Sequence, residues 1–314
     1  YGACRRFLDQ LQPKLVILAE LELWPNFLSA CQQRNIKVAV VNGRITEKSL
    51  AGYLRIGRWL PRFGNICFYG VQSQLYAERF QELGVAAENI VVTGNIKFDS
   101  ISLKPSSAND CCWRQWSKNH TLILAASTHH PEEEMLCHEF MRQVKGEHKL
   151  VIVPRHPQRC SQLISELRGA NPSLEFALFS ACKDSSTISA SVLIVDALGQ
   201  LEDAYANSTC CFIGGSLIDH GGQNLLEAAI AKCPIVMGPS YHNFQDEVEL
   251  LLAREAMLIG QKATDVLEYQ VELLLNPEKM RVLAENAYSA LESQRGTAKI
   301  TLNAMCDLGL LPLK

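Results

Sequence analysis

Several runs of β-branched residues in this 314-residue sequence end on side chains able to hold or neutralise an anion. Ser127, Thr128, His129 and the triplet Glu132-Glu133-Glu134 follow Leu122–Ala126, while Pro154, Arg155 and His156 follow Leu150–Val153. Cys211-Phe212-Ile213 runs into Gly214-Gly215-Ser216, and Gly221-Gly222-Gln223-Asn224 follows shortly, ahead of Leu225-Leu226-Glu227. Glycines admit positive φ and let backbone amides approach an anion, and a helix opening near Asn224 would add its N-terminal dipole. The fork of Arg155 suits phosphate oxygens and stays charged at any working pH. The hydroxyls of Ser127 and Thr128, with Gly215 and Ser216, are further candidates for such a site. A plainer alternative is an ordinary βα turn, in which Asn224 and Glu227 form a capping box. The glutamate triplet fits a first helical turn, where carboxylates suit the macrodipole. His129 and His130 are adjacent and cannot easily share one ion, so no metal is expected.

The first hundred residues repeat the arrangement. Leu15–Ala19 leads into Glu20-Leu21-Glu22-Leu23-Trp24-Pro25-Asn26, and Val38–Val41 into Asn42-Gly43-Arg44. Ile90–Thr93 leads into Gly94-Asn95-Ile96-Lys97-Phe98-Asp99. A lysine at a strand end can neutralise a phosphate or a developing charge. An exposed helix start would explain Glu20 and Glu22 more simply. All these groups fall where strands end, the edge at which open α/β sheets bind ligands.

Eleven strands are expected to position them. Beside those named, they are Ile66–Tyr69, Leu174–Leu178, Val192–Val195, Ile235–Met237 and an edge strand at Met257–Ile259. Near-continuous apolar strands separated by helical spacers imply parallel sheets of βαβ units. The polar, proline-containing stretch Ser100–Asp110 is the expected linker. That gives one domain over residues 1–100 and another over 111–314, with the last helix packing back on the first. About four strands are few for a complete Rossmann-like sheet, and the chain begins at Tyr1 in helical character, so it reads as an N-terminally truncated fragment. A net charge of −3 with 7% aromatic residues excludes a polycationic or base-stacking nucleic-acid binder. The 12 cysteines include no Cys-x-x-Cys, so zinc spacing is absent and a reduced compartment fits better. No apolar run reaches the ~20 residues of a membrane span.

Together these motifs resemble the 3-deoxy-D-manno-octulosonic acid (Kdo) transferases of lipopolysaccharide synthesis, over nearly the whole chain. Met237-Gly238-Pro239 and Asn243-Phe244 continue the likeness. The resemblance implies the α/β GT-B fold, two Rossmann-like parallel-sheet domains facing across a cleft. It implies inverting transfer of Kdo from CMP-Kdo to a lipid A precursor, with no cofactor or metal and no nucleic-acid partner, at the cytoplasmic face of the inner membrane. Arg155, His156, Leu198, Gly199, Gln200, Asn224, Leu225, Leu226 and Glu227 then contact CMP. Glu20 and Lys97 stabilise the transition state, with Glu22 as a further candidate. The family's general base and membrane anchor are expected upstream of residue 1. Gly199-Gln200 stands where the family usually has Gly-Glu, and Gln223 where it usually has His. The alternatives are another GT-B sugar-nucleotide enzyme, such as a UDP-sugar transferase or epimerase, or a non-catalytic nucleotide-binding fragment.

Overall fold

In a computed structural model the chain divides into two compact units, residues 1–101 with 294–314, and residues 102–293. The structure describes residues 2–22, 24–56, 66–99, 113, 116, 120–145, 148–182 and 190–312. The expected linker, with Cys111 and Cys112, lies outside the described residues.

The first unit runs α1 (Gly2–Leu11), β1 (Leu15–Ala19), α2 (Pro25–Gln32), β2 (Lys37–Gly43), α3 (Glu47–Ile56), β3 (Phe68–Val71), α4 (Gln74–Glu82) and β4 (Ile90–Val92). Its strands pair in chain order, all parallel. Alternate residues of a strand face opposite sides. Val38 and Val40 accordingly join Leu8, Tyr69 and Phe80 in one core, while Ala39 and Phe68 face the other side. β3 begins two residues later than expected, where Phe68 pairs with Ala39 of β2, and runs on to Val71, which pairs with Gly43 of β2 and Val92 of β4.

The second unit contains β5 (Thr121–Thr128), α5 (Glu132–Gln143), β6 (His148–Pro154), α6 (Cys160–Ala170), β7 (Phe176–Leu178), β8 (Val192–Ile194), α7 (Leu201–Asn207) and β9 (Cys210–Ile213). It continues through α8 (Leu226–Ile230), β10 (Ile235–Met237), α9 (Gln245–Leu252), β11 (Met257–Ile259), α10 (Ala263–Leu275) and α11 (Pro277–Glu292). All its strands are parallel, in the order β11-β10-β9-β5-β6-β8-β7. β7 is shorter than Leu174–Leu178, because the Leu174 amide closes a turn onto the Asn171 carbonyl. The chain builds outward from β5 on one side and then crosses to β9 on the other. The loops after β5 and β9 therefore flank a topological switch point, where ligands bind in such sheets.

The last helix, α12 (Thr297–Asp307), returns to the first unit and sets Met305 against Ala39 and Phe68. The Asp99 carboxylate accepts the amides of Gly296 and Ala298 at 2.6 Å each, so the N-terminus of α12 is capped from 197 and 199 residues away. Gly94 has φ +91°, and a Cβ there would stand 2.7 Å from Thr297 Oγ1; the docking of α12 thus requires glycine. Asp99→Ala is expected to lower stability by about 1–3 kcal/mol. Urea unfolding checks this, and unchanged stability would mean the cap does not hold the helix.

Candidate functional site

At the switch point of the second unit, β5 and β9 lie side by side. Gly214 leaves β9 so close to β5 that a Cβ would come within 2.6 Å of Thr128 Cα. The loop after it is closed around an internal anion. Glu132, at the start of α5, is 0% exposed. Its Oε2 accepts the amides of Gly215 (2.7 Å) and His129 (2.9 Å), and its Oε1 those of Ser216 and Leu217 (3.0 Å each). Glycine-loop amides expected from sequence to face a bound anion are instead satisfied within the fold. Burial pushes the Glu132 carboxyl upward, against the four amides that favour its charged form. Glu133 is also fully buried and accepts from Thr128 Oγ1 (3.0 Å) and Arg159 Nη1 (2.7 Å). The Thr128 hydroxyl is therefore directed inward.

The helix expected near Asn224 opens at Leu226 and is only five residues long. Asn224 Oδ1 accepts the Leu226 amide at 3.2 Å, and Asn224 Nδ2 donates to Glu227 Oε1 at 3.2 Å. Asn224 and Glu227 are thus joined through side chains rather than as a capping box, and burial pushes the Glu227 carboxyl up. With the loop amides and the first amide of α8 engaged, the cationic groups of this edge gain weight. Arg155 follows β6 with an exposed side chain, its amide donating to the Thr128 carbonyl at 3.0 Å. No described residue hydrogen-bonds its guanidinium, whereas Arg159 is ion-paired with Glu133.

Three imidazoles gather beside Arg155. The His129 ring centroid lies 4.2 Å from His220 and 5.8 Å from His156, and Gln223 Nε2 is 3.0 Å from His129 Nε2. Burial, with His220, His156, Arg155 and Arg159 nearby, pushes the His129 imidazole down to about 4. The folded ring binds a proton less readily than the unfolded one. Stability from this group is therefore present at neutral pH and lost as pH falls from about 6.5 to about 4. A histidine NMR titration should show one midpoint near 4; an ordinary midpoint for His129 would contradict this packing. Leu198 is 78% exposed and Gly199 has φ +76°. Gln200 Oε1 accepts from Trp113 Nε1 at 3.0 Å, which fixes its side chain. Among the described residues no group of three or more His, Cys, Asp or Glu is arranged to hold a metal ion. None of their helices is long and apolar enough to cross a membrane.

In the first unit Glu20 and Lys97 follow opposite edge strands, β1 and β4. A hydrogen-bonded path nevertheless draws their backbones toward one point. The Glu20 amide donates to Val41 at 2.9 Å, and the next residue, Asn42, accepts the Ile96 amide on its Oδ1 at 3.0 Å. Ile96 begins the short 3-10 turn carrying Lys97. Glu20 and Asn42 both hold left-handed backbones (φ +59° and +56°), as does Ser127 (+53°). Such conformations in non-glycine residues cluster at functional sites. The two glutamates are not equivalent. Glu22 Oε2 accepts from Trp24 Nε1 at 2.8 Å, whereas no described residue hydrogen-bonds the exposed Glu20 carboxylate.

Two parallel-sheet α/β units are the architecture of the GT-B fold, shared by glycosyltransferases and epimerases. A UDP-N-acetylglucosamine 2-epimerase structure is similar at TM-score 0.60, covering 100% of this chain and 77% of its own at 12% identity, which speaks for the fold alone. Residues 1–100 match the family model described as 3-deoxy-D-manno-octulosonic-acid transferase. The Haemophilus influenzae 3-deoxy-D-manno-octulosonic acid transferase is 31% identical over 96% of this chain and 71% of its own length. The crystallised C-terminal CMP-Kdo binding domain of WaaA from Acinetobacter baumannii is 31% identical, with TM-score 0.55, covering 59% of this chain and 96% of that domain. The chain belongs to the Kdo transferase family, a family of glycosyltransferases.

Proposed function

We propose that the protein moves Kdo from CMP-Kdo to a lipid A precursor, with inversion at the anomeric carbon. The observation carrying this reading is Arg155, exposed at the carboxyl end of β6 beside the imidazole cluster, in a unit similar to a CMP-Kdo binding domain. The donor carries a single phosphate, which one arginine fork can match in a bidentate fashion. His156, Leu198, Gly199, Gln200, Asn224 and Glu227 line the CMP site, with the exposed Leu198 against the base and the buried Leu225 and Leu226 supporting the loop from behind.

As the bond to CMP breaks, negative charge grows on the departing phosphate and positive charge on the sugar ring. Arg155 and Lys97 neutralise the first, and the Glu20 carboxylate stabilises the second. An acceptor hydroxyl attacks from the opposite face and loses its proton to a general base. No residue of this chain is assigned that base. The acceptor and the inner-membrane location are part of the same reading.

The test is a transfer assay of the protein with CMP-Kdo and a lipid A precursor. A lipid product heavier by Kdo, with CMP released, is expected. Transfer from a UDP-sugar with none from CMP-Kdo would overturn the proposal.

A further inference from the structure

Glu132 has no place among the CMP contacts or the transition-state residues, yet its buried carboxylate accepts four backbone amides. A buried carboxylate without partners is strongly disfavoured, so its four amide donors define where it can sit. They come from two loops: His129 follows β5, and Gly215, Ser216 and Leu217 follow β9. The hold extends further, because the Gly215 carbonyl accepts the Gly222 amide at 2.8 Å. Gly222 precedes Gln223, whose side chain meets the His129 ring. One carboxylate thus ties down both ends of the His129–Gln223 contact and the approach to Asn224.

We propose that Glu132 is a positioning residue for the nucleotide site, the internal anion that shapes the loop against which CMP binds. This rests on the donor reading above. Glutamine in its place would keep the shape but turn one acceptor atom into a donor, leaving two of the four amides facing N–H groups. Glu132→Gln is expected to weaken CMP binding about tenfold or more in calorimetry, at a temperature where circular dichroism is unchanged.

Leu163→Ala, in the buried core on α6, supplies a control that is destabilised without touching the loop. It should keep CMP affinity within about twofold. A merely structural role for Glu132 would lower the melting temperature of both variants and the CMP affinity of neither, and that result overturns the proposal. The second readout needs no variant: CMP should slow hydrogen exchange at the Gly215, Ser216 and Leu217 amides of the wild-type protein, and unchanged exchange would also overturn it. Wild-type protein that binds no CMP would overturn the donor reading and this inference together. Binding by Glu132→Gln equal to wild type would overturn this inference alone.

Discussion

Glu20→Gln is expected to lower turnover about a hundredfold or more, with Glu22→Gln changing it by less than about twofold. The two carboxylates are two residues apart and differ in their surroundings. Glu22 holds the indole of Trp24, and a glutamine oxygen could accept the same bond. No described residue hydrogen-bonds the Glu20 carboxylate, and its left-handed backbone fixes where the side chain leaves β1. The path through Val41, Asn42 and Ile96 brings it toward the turn carrying Lys97. A carboxylate that stabilises a developing positive charge loses that ability when made neutral, even with its shape kept. Glu20 is exposed, so the melting temperature should not move. Comparing kcat for the two variants in the CMP-Kdo transfer assay decides the matter; a larger loss in Glu22→Gln would refute the assignment.

Arg155→Lys should lower kcat/KM for CMP-Kdo roughly ten- to a hundredfold, and Arg155→Ala by more. The reason lies in what the fold has already occupied. The Gly215–Leu217 amides surround Glu132, the Leu226 amide is held by Asn224, and Arg159 is paired with Glu133. Arg155 stands exposed past the end of β6, beside these engaged groups, so a phosphate there depends on it. Lysine keeps the charge but presents a point rather than a planar fork, so one arm of a bidentate contact is lost. Alanine leaves the phosphate charge uncompensated as well. Neither change should affect melting, because the side chain stands beyond the end of β6. Wild-type kinetics in Arg155→Lys would make the residue a solvated surface charge.

The parallel sheets were legible because burial on both faces leaves near-continuous β-branched runs, and each expected strand coincides with an observed one or overlaps it. The lengths of β3 and β7 were less so, since β3 takes its extent from its pairing with β2 and β4 and β7 yields to a turn at Asn171. Arg155 at a strand end was equally visible, as were Glu20 and Glu22 after β1. What Glu132 does was not. From sequence the glutamate triplet reads as a favourable first helical turn, and all three residues do begin α5. Yet Glu132 and Glu133 are wholly buried, one on a loop 83–85 residues away and the other on Arg159. Spacing along a helix says nothing of a partner that only the sheet order brings near. Asp99, which caps α12 from across the chain, was hidden for the same reason.

The most direct measurement is a calorimetric titration of the 314-residue chain with CMP, UMP and UDP. CMP should bind most tightly, and Arg155→Ala should abolish most of that affinity with the circular dichroism spectrum unchanged. Tighter binding of UMP or UDP, or no CMP binding by a folded protein, would contradict a CMP-sugar donor site in the second unit.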